Sequence, residues 1–270
     1  MTNAPTAMGA GVPLYVYPTD STAWATLADG GQGVDWVVLN QSDGPGATAD
    51  PVVTAAGAAV TAAGTTVLGY INYAYGSTPD ATSTAQMTTW KGRGISGVFL
   101  DEAPASQTAV SGQTATLATT TASIAALREA GAATVVLNPG TVPDPAYIPL
   151  ADCTVIFQGS YAQWLAWTPP AWLQQWPPHR YAVLVYGVAS GPQEYQAYDN
   201  PLYTDTATVQ EAAGTTAGFS AAEQVIADCA RYGIRTVYCY DKTVAWDGLP
   251  AYWAQFAAQL GRDHPEVYTQ

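Results

Sequence analysis

Short runs of consecutive apolar residues recur along the chain, separated by longer segments of mixed composition. Because the apolar residues within each run are nearly continuous rather than alternating, the runs are typical of strands covered on both faces of a parallel sheet. The pattern predicts eight such strands, at 12–18, 34–40, 65–72, 95–102, 133–140, 153–158, 180–187 and 235–241.

The segments between the strands carry helix signals. Those rich in Ala, Leu and Gln predict helices at 52–63, 116–130, 221–232 and 250–260. A glycine, a favoured residue just past a helix end, closes four of the segments: Gly64, Gly94, Gly131 and Gly233. Alternating strands and helices in a chain of 270 residues predict a single-domain (β/α)8 TIM barrel. A doubly wound open sheet is the alternative, but no GxGxxG or phosphate-binding loop follows the first strand.

The strand pattern also sets the expected boundaries. We predict a barrel over 12–262, preceded by residues 1–11, which would be disordered or added during cloning, and followed by a C-terminal tail at 263–270. The segment 190–220 after the seventh strand is long for a loop of this kind. In a barrel it would emerge on the C-terminal face and form a wall or lid over the site, with a passive insertion as the alternative.

Composition narrows the classes of partner. The net charge of −13 disfavours nucleic acid and anionic membrane surfaces, and would attract a cationic substrate. The 17 Tyr and 9 Trp, against 4 Phe, are typical of surfaces that bind sugars, although each of these rings could equally belong to the core. Two lone histidines and three scattered cysteines predict neither a metal site nor a disulfide framework, and we expect no cofactor.

The sequence gives little information on location. No apolar run reaches the length of a membrane span, and the first residues lack the charged and apolar regions of a secretion signal. We expect a secreted or cell-surface protein whose signal is not part of this chain, with a cytoplasmic protein as the alternative. No feature indicates an oligomeric state.

Polar residues stand at the C-terminal ends of almost all predicted strands. In a barrel these ends meet on one face, where active sites are built. One such residue could be a loop cap, but a ring of them predicts a polar pocket. Its members are Tyr17, Asn40, Asn72, Asp101, Glu102, Asn138, Gln158, Tyr186 and Asp241.

The adjacent acids Asp101 and Glu102 are the most informative members of this ring. Two acids directly after a buried strand are costly unless they are hydrogen-bonded or solvated. A cap of the segment before Pro104 is the alternative. Because side chains alternate along a strand, the two should point in different directions and should need a partner acid from another strand end. Asp43 and Asp241 are available for that role.

Several motifs together resemble one known family. In order they are VPLYVYP, LNQSDGPG, VLGYINYAYG, GVFLDE, VVLNPGT, ADCTVIFQGSY and GLPAYW. The sequence over 12–260 resembles the spherulin-4 family, which is glycoside hydrolase family 135 and is related to the polygalactosaminidases of family 114. The resemblance implies a (β/α)8 barrel and endo-hydrolysis of α-1,4-linked N-acetylgalactosamine or galactosamine polymers. Such polymers occur in galactosaminogalactan, the exopolysaccharide of fungal biofilms.

The resemblance also implies site residues. The acidic pair of the family matches Asp101 and Glu102, one as nucleophile or base and the other as electrostatic partner. The third acid of the family follows the phenylalanine of strand 6, but here the residue after Phe157 is Gln158. An amide cannot ionise, so Gln158 could hold the substrate but could act neither as a base nor as a proton donor.

Three explanations of the amide remain open: an engineered exchange of Glu for Gln, a divergent enzyme in which Asp241 or another acid serves instead, or a barrel that binds sugar without turnover. The functional alternatives are accordingly a non-catalytic polysaccharide-binding barrel and a hydrolase of the same fold that acts on a different glycan. We expect Trp164 and Trp246 to be stacking platforms for sugar rings, or else core residues. The other residues expected to line the pocket are Tyr15, Tyr17, Asn40, Asn72, Tyr75, Asn138, Tyr186 and Asp241.

Overall fold

A closed barrel of eight parallel strands, arranged in the order of the sequence, forms the centre of the molecule. The computed structural model describes residues 7–30, 33–188, 215–242 and 245–261. The predicted (β/α)8 barrel is confirmed, with all its strands. They are β1 (Gly9–Leu14), β2 (Val34–Leu39), β3 (Thr66–Asn72), β4 (Gly97–Asp101), β5 (Thr134–Asn138), β6 (Cys153–Ser160), β7 (Tyr181–Tyr186) and β8 (Thr236–Cys239).

Helices cover the outside of the barrel. Each of the four predicted helices, at 52–63, 116–130, 221–232 and 250–260, overlaps an observed helix, and the predicted stops Gly64, Gly94, Gly131 and Gly233 all have the positive φ that favours glycine. A further helix, α3 (Asp80–Gly92), was indicated only by its stop at Gly94 and was given no bounds, because its Thr- and Ser-rich sequence carries a weak apolar pattern. The described α-helices are α1 (Ala23–Ala28), α2 (Pro51–Ala62), α3 (Asp80–Gly92), α4 (Leu117–Glu129), α5 (Tyr161–Ala166), α6 (Thr215–Tyr232) and α7 (Trp253–Leu260). Short 3₁₀ turns lie at Ala74–Gly76, Pro145–Leu150, Ala171–Gln175 and Pro178–Arg180.

The beginning of the barrel differs from the prediction. Residues 9–11 belong to β1, so the expectation that 1–11 lies outside the fold is wrong for them. The Gly9 amide donates to the Arg235 carbonyl oxygen at 3.1 Å, and the Ala10 amide donates to the Gly33 carbonyl oxygen at 2.8 Å. These small residues carry no strand signal, yet β1 requires them, because a Cβ atom on Gly9 would collide with the side chain of Asp35.

The predicted long loop and tail lie largely outside the described residues. Helix α6 begins at Thr215, so the end of the predicted loop 190–220 is helical. The segment TTAGFS contains a glycine and β-branched threonines, which weaken its helix signal. The predicted tail at 263–270 lies outside the described part of the chain.

Tight packing between α3 and β3 fixes the barrel wall below the candidate site. Trp90 of α3 is buried, and its indole Nε1 donates to the carbonyl oxygen of Tyr70 at 3.0 Å. The ring lies over the backbone of Gly69, where a Cβ atom would stand 2.5 Å from the ring carbons. Gly69 is therefore the residue that lets the indole reach the strand.

The substitution Gly69→Ala should lower the free energy of unfolding by about 1–3 kcal/mol, because the added methyl group overpacks the contact with Trp90. Gly92→Ala is the matched control. A Cβ atom there meets nothing within 4 Å and the residue is helical, so stability should rise by about 0.5–1 kcal/mol. Urea denaturation measures both changes, and equal effects at the two positions would contradict the packing argument.

Candidate active site

Asp101, the last residue of β4, is held by hydrogen bonds from both neighbouring strands. The hydroxyl of Tyr70 on β3 donates to its Oδ2 at 2.9 Å, and Nδ2 of Asn138 on β5 donates to its Oδ1 at 2.6 Å. The strand register pairs Asp101 directly with Asn138. Tyr70 and Asn138 are both buried, so the carboxylate is fixed between two immobile donors.

Opposing effects act on the ionisation of Asp101. Burial raises its pKa, and the hydrogen bonds from Tyr70 and Asn138 act in the opposite direction. Burial, followed by the charge of Asp101, raises the pKa of Tyr70 far above its usual range. The Tyr70 hydroxyl therefore keeps its proton and remains a donor to Asp101.

Glu102 follows β4 in a left-handed backbone conformation, with a φ of 51°. The strand alternation that predicted opposite directions for the two acids applies only as far as Asp101, where β4 ends. Burial, then the charges of Asp101 and Asp43, raise the pKa of Glu102. Within the described part of the chain its carboxyl group has no hydrogen-bond partner, so it is available to a ligand.

Strained backbone conformations cluster on this face of the barrel. Of the described non-glycine residues, five have positive φ, and all lie in segments that follow β2, β3, β4 or β8: Asp43, Ala74, Tyr75, Glu102 and Trp246. Such conformations are costly and are found preferentially at functional sites. A hydrogen bond from the Tyr75 amide to the Glu102 carbonyl oxygen, at 2.7 Å, joins two of them.

Asn138 links Asp101 to Gln158. Its Nδ2 also donates to Oε1 of Gln158 at 2.7 Å, and its Oδ1 accepts from the Gly140 amide at 3.2 Å. The structure thus brings together Asp101, Asn138 and Gln158, as the sequence pattern predicts. The result is one polar chain from Tyr70 to Gln158.

Two further residues act on the acid pair: Tyr15 packs against Tyr70, and the charge of Asp43 raises the pKa of Asp101. The ring of Tyr15 meets that of Tyr70 edge-on, with centroids 5.6 Å apart. Burial, and then the charge of Asp101, raise the pKa of Tyr15.

Tyr70 itself was missed by sequence analysis. It lies two residues before Asn72 on β3, and the two-residue period of a strand would have placed both on one face.

Two predicted pocket residues, Asn40 and Asn72, bond to their own loops, and a third, Tyr17, bonds to a different segment. Oδ1 of Asn40 accepts from the Gly44 amide at 3.0 Å, and Oδ1 of Asn72 accepts from the Ala74 amide at 2.8 Å. Both contacts are those of a loop cap, which was the alternative to a pocket for a polar residue at a strand end. Tyr17 is 41% exposed and its hydroxyl donates to the N-cap residue Asp50 of α2 at 3.0 Å, so its observed contact is with the start of that helix, and its place in the pocket stays a prediction.

The predicted stacking platforms are wrong. Trp164 and Trp246 are each only 4% exposed, because they pack against other aromatic rings. Trp164 stacks on Trp167 with centroids 5.1 Å apart, and Trp246 meets the buried Tyr186 edge-on at 6.1 Å. Their burial follows from their neighbours in space, which the local sequence does not give.

Asp241 is bound to its own loop, where its Oδ2 accepts from the Ala251 amide at 2.8 Å. Unlike Asp43, it is not among the charges that raise the pKa of Asp101 or Glu102. Of the two partner acids considered from the sequence, Asp43 is therefore the one coupled to the acid pair.

A cleft of about 650 Å³ opens beside Gln158, between the segments that follow β4, β5 and β6. Tyr75 and Gln158 line it, together with Gln113, Thr141 and the partly exposed Trp167. Sequence analysis missed Trp167, although it lies close in sequence to the predicted Trp164. Among the described residues, no group of three or more His, Cys, Asp or Glu side chains is placed to hold a metal ion.

The model of the spherulation-specific family 4, Spherulin4, matches residues 10–260. The chain belongs to this family. Spherulin-4 of Physarum polycephalum is 30% identical over 192 residues, which are 67% of this chain and 55% of that protein. The chain therefore spans about half the length of its curated spherulin-4 relative, and the resemblance drawn from the sequence motifs is confirmed.

Solved structures share the fold of this spherulin-4 chain. Sph3 of Aspergillus clavatus, in complex with GalNAc, has a TM-score of 0.71 and 21% identity, over 95% of this chain and 98% of that one. A GH18 chitinase from Pseudoalteromonas aurantia has a TM-score of 0.54 and 12% identity, over 93% and 100%. The spore cortex-lytic enzyme SleL of Bacillus cereus has the same TM-score and 10% identity, over 96% and 75%. These likenesses show that the chain has the same barrel fold as the three proteins.

The helices in the described part of the chain are all too short or too polar to cross a membrane.

The substitution Tyr70→Phe should destabilise the protein more at neutral than at acidic pH. It removes a hydrogen bond that lowers the pKa of Asp101, so the already raised folded pKa rises further. Unfolding free energy should fall by about 0.5–1.5 kcal/mol where Asp101 is protonated. It should fall by about 1.5–3 kcal/mol above its folded pKa, where the lost acceptor is charged.

Tyr147→Phe serves as the control for this experiment. The Tyr147 hydroxyl donates to the backbone carbonyl of Ser106 at 2.7 Å, an acceptor that does not titrate. Denaturation curves at a series of pH values should show the same loss of unfolding free energy at every pH for Tyr147→Phe, and a loss that grows as the pH rises for Tyr70→Phe. A loss of unfolding free energy for Tyr70→Phe that does not change with pH would contradict a hydrogen bond from Tyr70 to the ionised Asp101 carboxylate.

Proposed function

We propose that this spherulin-4 chain is a glycoside hydrolase that cleaves within α-1,4-linked polymers of N-acetylgalactosamine or galactosamine. The observation that carries the proposal is the acid pair at the C-terminal end of β4, in which Asp101 is fixed by two donors and Glu102 is available with a raised pKa. The likeness to Sph3 in complex with GalNAc supports an amino sugar as the substrate. Because such polymers are exopolysaccharides, we expect the protein to act outside the cell or at its surface.

Glu102 is assigned the role of proton donor to the leaving oxygen. A general acid must keep its proton near the working pH, and burial together with the charges of Asp101 and Asp43 favours the protonated form. Glu102 is partly exposed, so a glycosidic oxygen can reach it. The left-handed turn places it next to the cleft residue Tyr75, whose amide binds its carbonyl.

Asp101 is assigned the role of the ionised partner. The transition state of glycoside hydrolysis has positive charge on the sugar ring, which a nearby carboxylate stabilises. The bonds from Tyr70 and Asn138 hold both oxygens of Asp101 before substrate arrives. A group that needs no rearrangement during the reaction stabilises developing charge most effectively.

Asp43 is assigned the third carboxylate role, as the base for the attacking water. Gln158 cannot take it, because an amide does not ionise. Asp43 is exposed, and its charge acts on both Asp101 and Glu102. Exposure gives it access to water, which a base in this position requires.

A second candidate function is a polysaccharide-binding barrel without turnover. It is favoured by one observation, the amide at position 158 where the family pattern has an acid. A hydrolase of the same fold acting on another glycan is a variant of the first proposal. Release of reducing ends distinguishes cleavage from binding.

Glu102→Gln and Asp101→Asn should each lower the rate of reducing-end release from galactosaminogalactan by about 10²–10⁴-fold, because each removes an ionisable group from the reaction. Asp29→Asn is the control, since Asp29 is an exposed acid at the end of α1 and should not affect the rate. Binding of the polymer should survive in both active-site variants. Binding without cleavage by the wild-type chain would instead establish the non-catalytic barrel.

Asp43→Asn should lower the same rate by at least about 10²-fold if Asp43 activates water. Asparagine tolerates the left-handed backbone at this position, with its φ of 47°, so the loop should keep its conformation. Asp241→Asn tests the competing assignment in the same assay. A loss in Asp241→Asn alone would move the role of the base from Asp43 to Asp241.

A further inference from the structure

The cleft beside Gln158 is electrically neutral, although the whole chain has a net charge of −13. The described residues that line it include no Asp, Glu, Lys or Arg. Its walls are formed in part by apolar groups, among them Ile156, Phe157 and Trp167. A charged ligand group placed in this cleft would lose hydration without gaining an ionic partner from the lining residues.

The orientation of the Asn138 amide is determined from two sides. A backbone N–H can only donate, so the Gly140 amide requires Oδ1 of Asn138 to face it. An ionised carboxylate can only accept, so Asp101 requires Nδ2 to face it. Both contacts select the same orientation, and the second hydrogen of Nδ2 points to Gln158.

This orientation in turn fixes Gln158. Because Asn138 donates, Gln158 must present its Oε1 to that bond, and its Nε2 lies on the opposite side of the amide group. Nε2 has no hydrogen-bond partner within the described residues, and Gln158 lines the cleft. A glutamate in this position would accept the same bond from Asn138, but would turn a negatively charged acceptor toward the cleft.

A hydrogen-bond donor beside an apolar wall matches the two ends of an acetamido group. The carbonyl oxygen of such a group accepts a hydrogen bond, and its methyl group prefers apolar surroundings. Trp167 is partly exposed in the cleft and gives the methyl group an aromatic surface. A protonated amine would meet the donor Nε2 with a second donor, which is unfavourable.

We propose that Gln158 is a specificity-determining residue whose Nε2 donates to the carbonyl oxygen of an uncharged acetamido sugar bound in this cleft. The inference rests on the proposed function for the nature of the polymer. It gives the amide at position 158 a function of its own: Gln158 selects acetylated units and transfers no proton.

The test is calorimetric binding of two short α-1,4-linked galactosamine oligomers, one fully acetylated and one fully deacetylated. All proteins carry Glu102→Gln to prevent turnover. With Gln158 present, the acetylated oligomer should bind more tightly. Gln158→Glu should reduce the ratio of the two affinities by about tenfold, the value of one net hydrogen bond. Gln158→Met keeps the length but removes the donor, so it should weaken binding of the acetylated oligomer without strengthening that of the other.

Gln107→Glu is the charge control. It adds the same charge at an exposed position of the segment after β4 that does not line the cleft, and it should leave the ratio unchanged. Thermal melting verifies that each variant is folded. An affinity ratio that does not respond to either substitution at 158, while both oligomers bind, overturns the assignment of Gln158 alone.

Two further outcomes separate this inference from the proposed function. If the ratio responds as expected but the wild-type chain releases no reducing ends from the polymer, the specificity role stands and the hydrolase proposal fails. If neither oligomer binds to any folded form, the proposed substrate and the role of Gln158 fail together.

Discussion

The partly buried carboxylate of Asp101 is the constraint on which the candidate site depends. A charge at the end of an apolar strand must be hydrogen-bonded, and the neighbouring strands supply Tyr70 and Asn138 for that purpose. The requirement then propagates outward, because a carboxylate determines which end of Asn138 faces it. Asn138 in turn determines that Gln158 faces it with Oε1. One ionised group thus sets the polarity of a site that extends over several strands.

The barrel makes this chain of hydrogen bonds possible by keeping its donors immobile. Asp101 pairs in register with Asn72 on one side and Asn138 on the other, so parallel strands deliver their last residues to one level. The left-handed turn at Glu102 begins where that register ends. An extended continuation of β4 would have sent Glu102 to the opposite face of the sheet. The strained turn is therefore part of what couples the two acids, at a cost of about 1–3 kcal/mol for such a conformation.

The sequence predicts features that depend on local pattern and misses those that depend on neighbours in space. Apolar runs and the stop at Gly131 predict the barrel, because strand burial and helix ends are encoded where they occur. The local sequence around Trp164 and Trp246 would suit a sugar-stacking platform as well as a core residue. Only the aromatic rings packed against them in space show that they are core residues. Tyr70 was missed for the converse reason, since it lies within an apolar strand and acquires its role from Asp101 on the next strand.

Gln158 illustrates how a family pattern and local geometry answer different questions. The family pattern identifies position 158 as one where an acid is expected, and so suggests that this chain has lost a catalytic carboxyl group. The geometry shows that the amide accepts from Asn138 as a carboxylate would, and we infer that its remaining donor serves a ligand in the neutral cleft that Gln158 lines. The bond to Asn138 is compatible with either residue, so exchange at 158 need not disturb Asp101. Because the fixed part of the site tolerates both, the difference between amide and acid is felt mainly by whatever occupies the cleft.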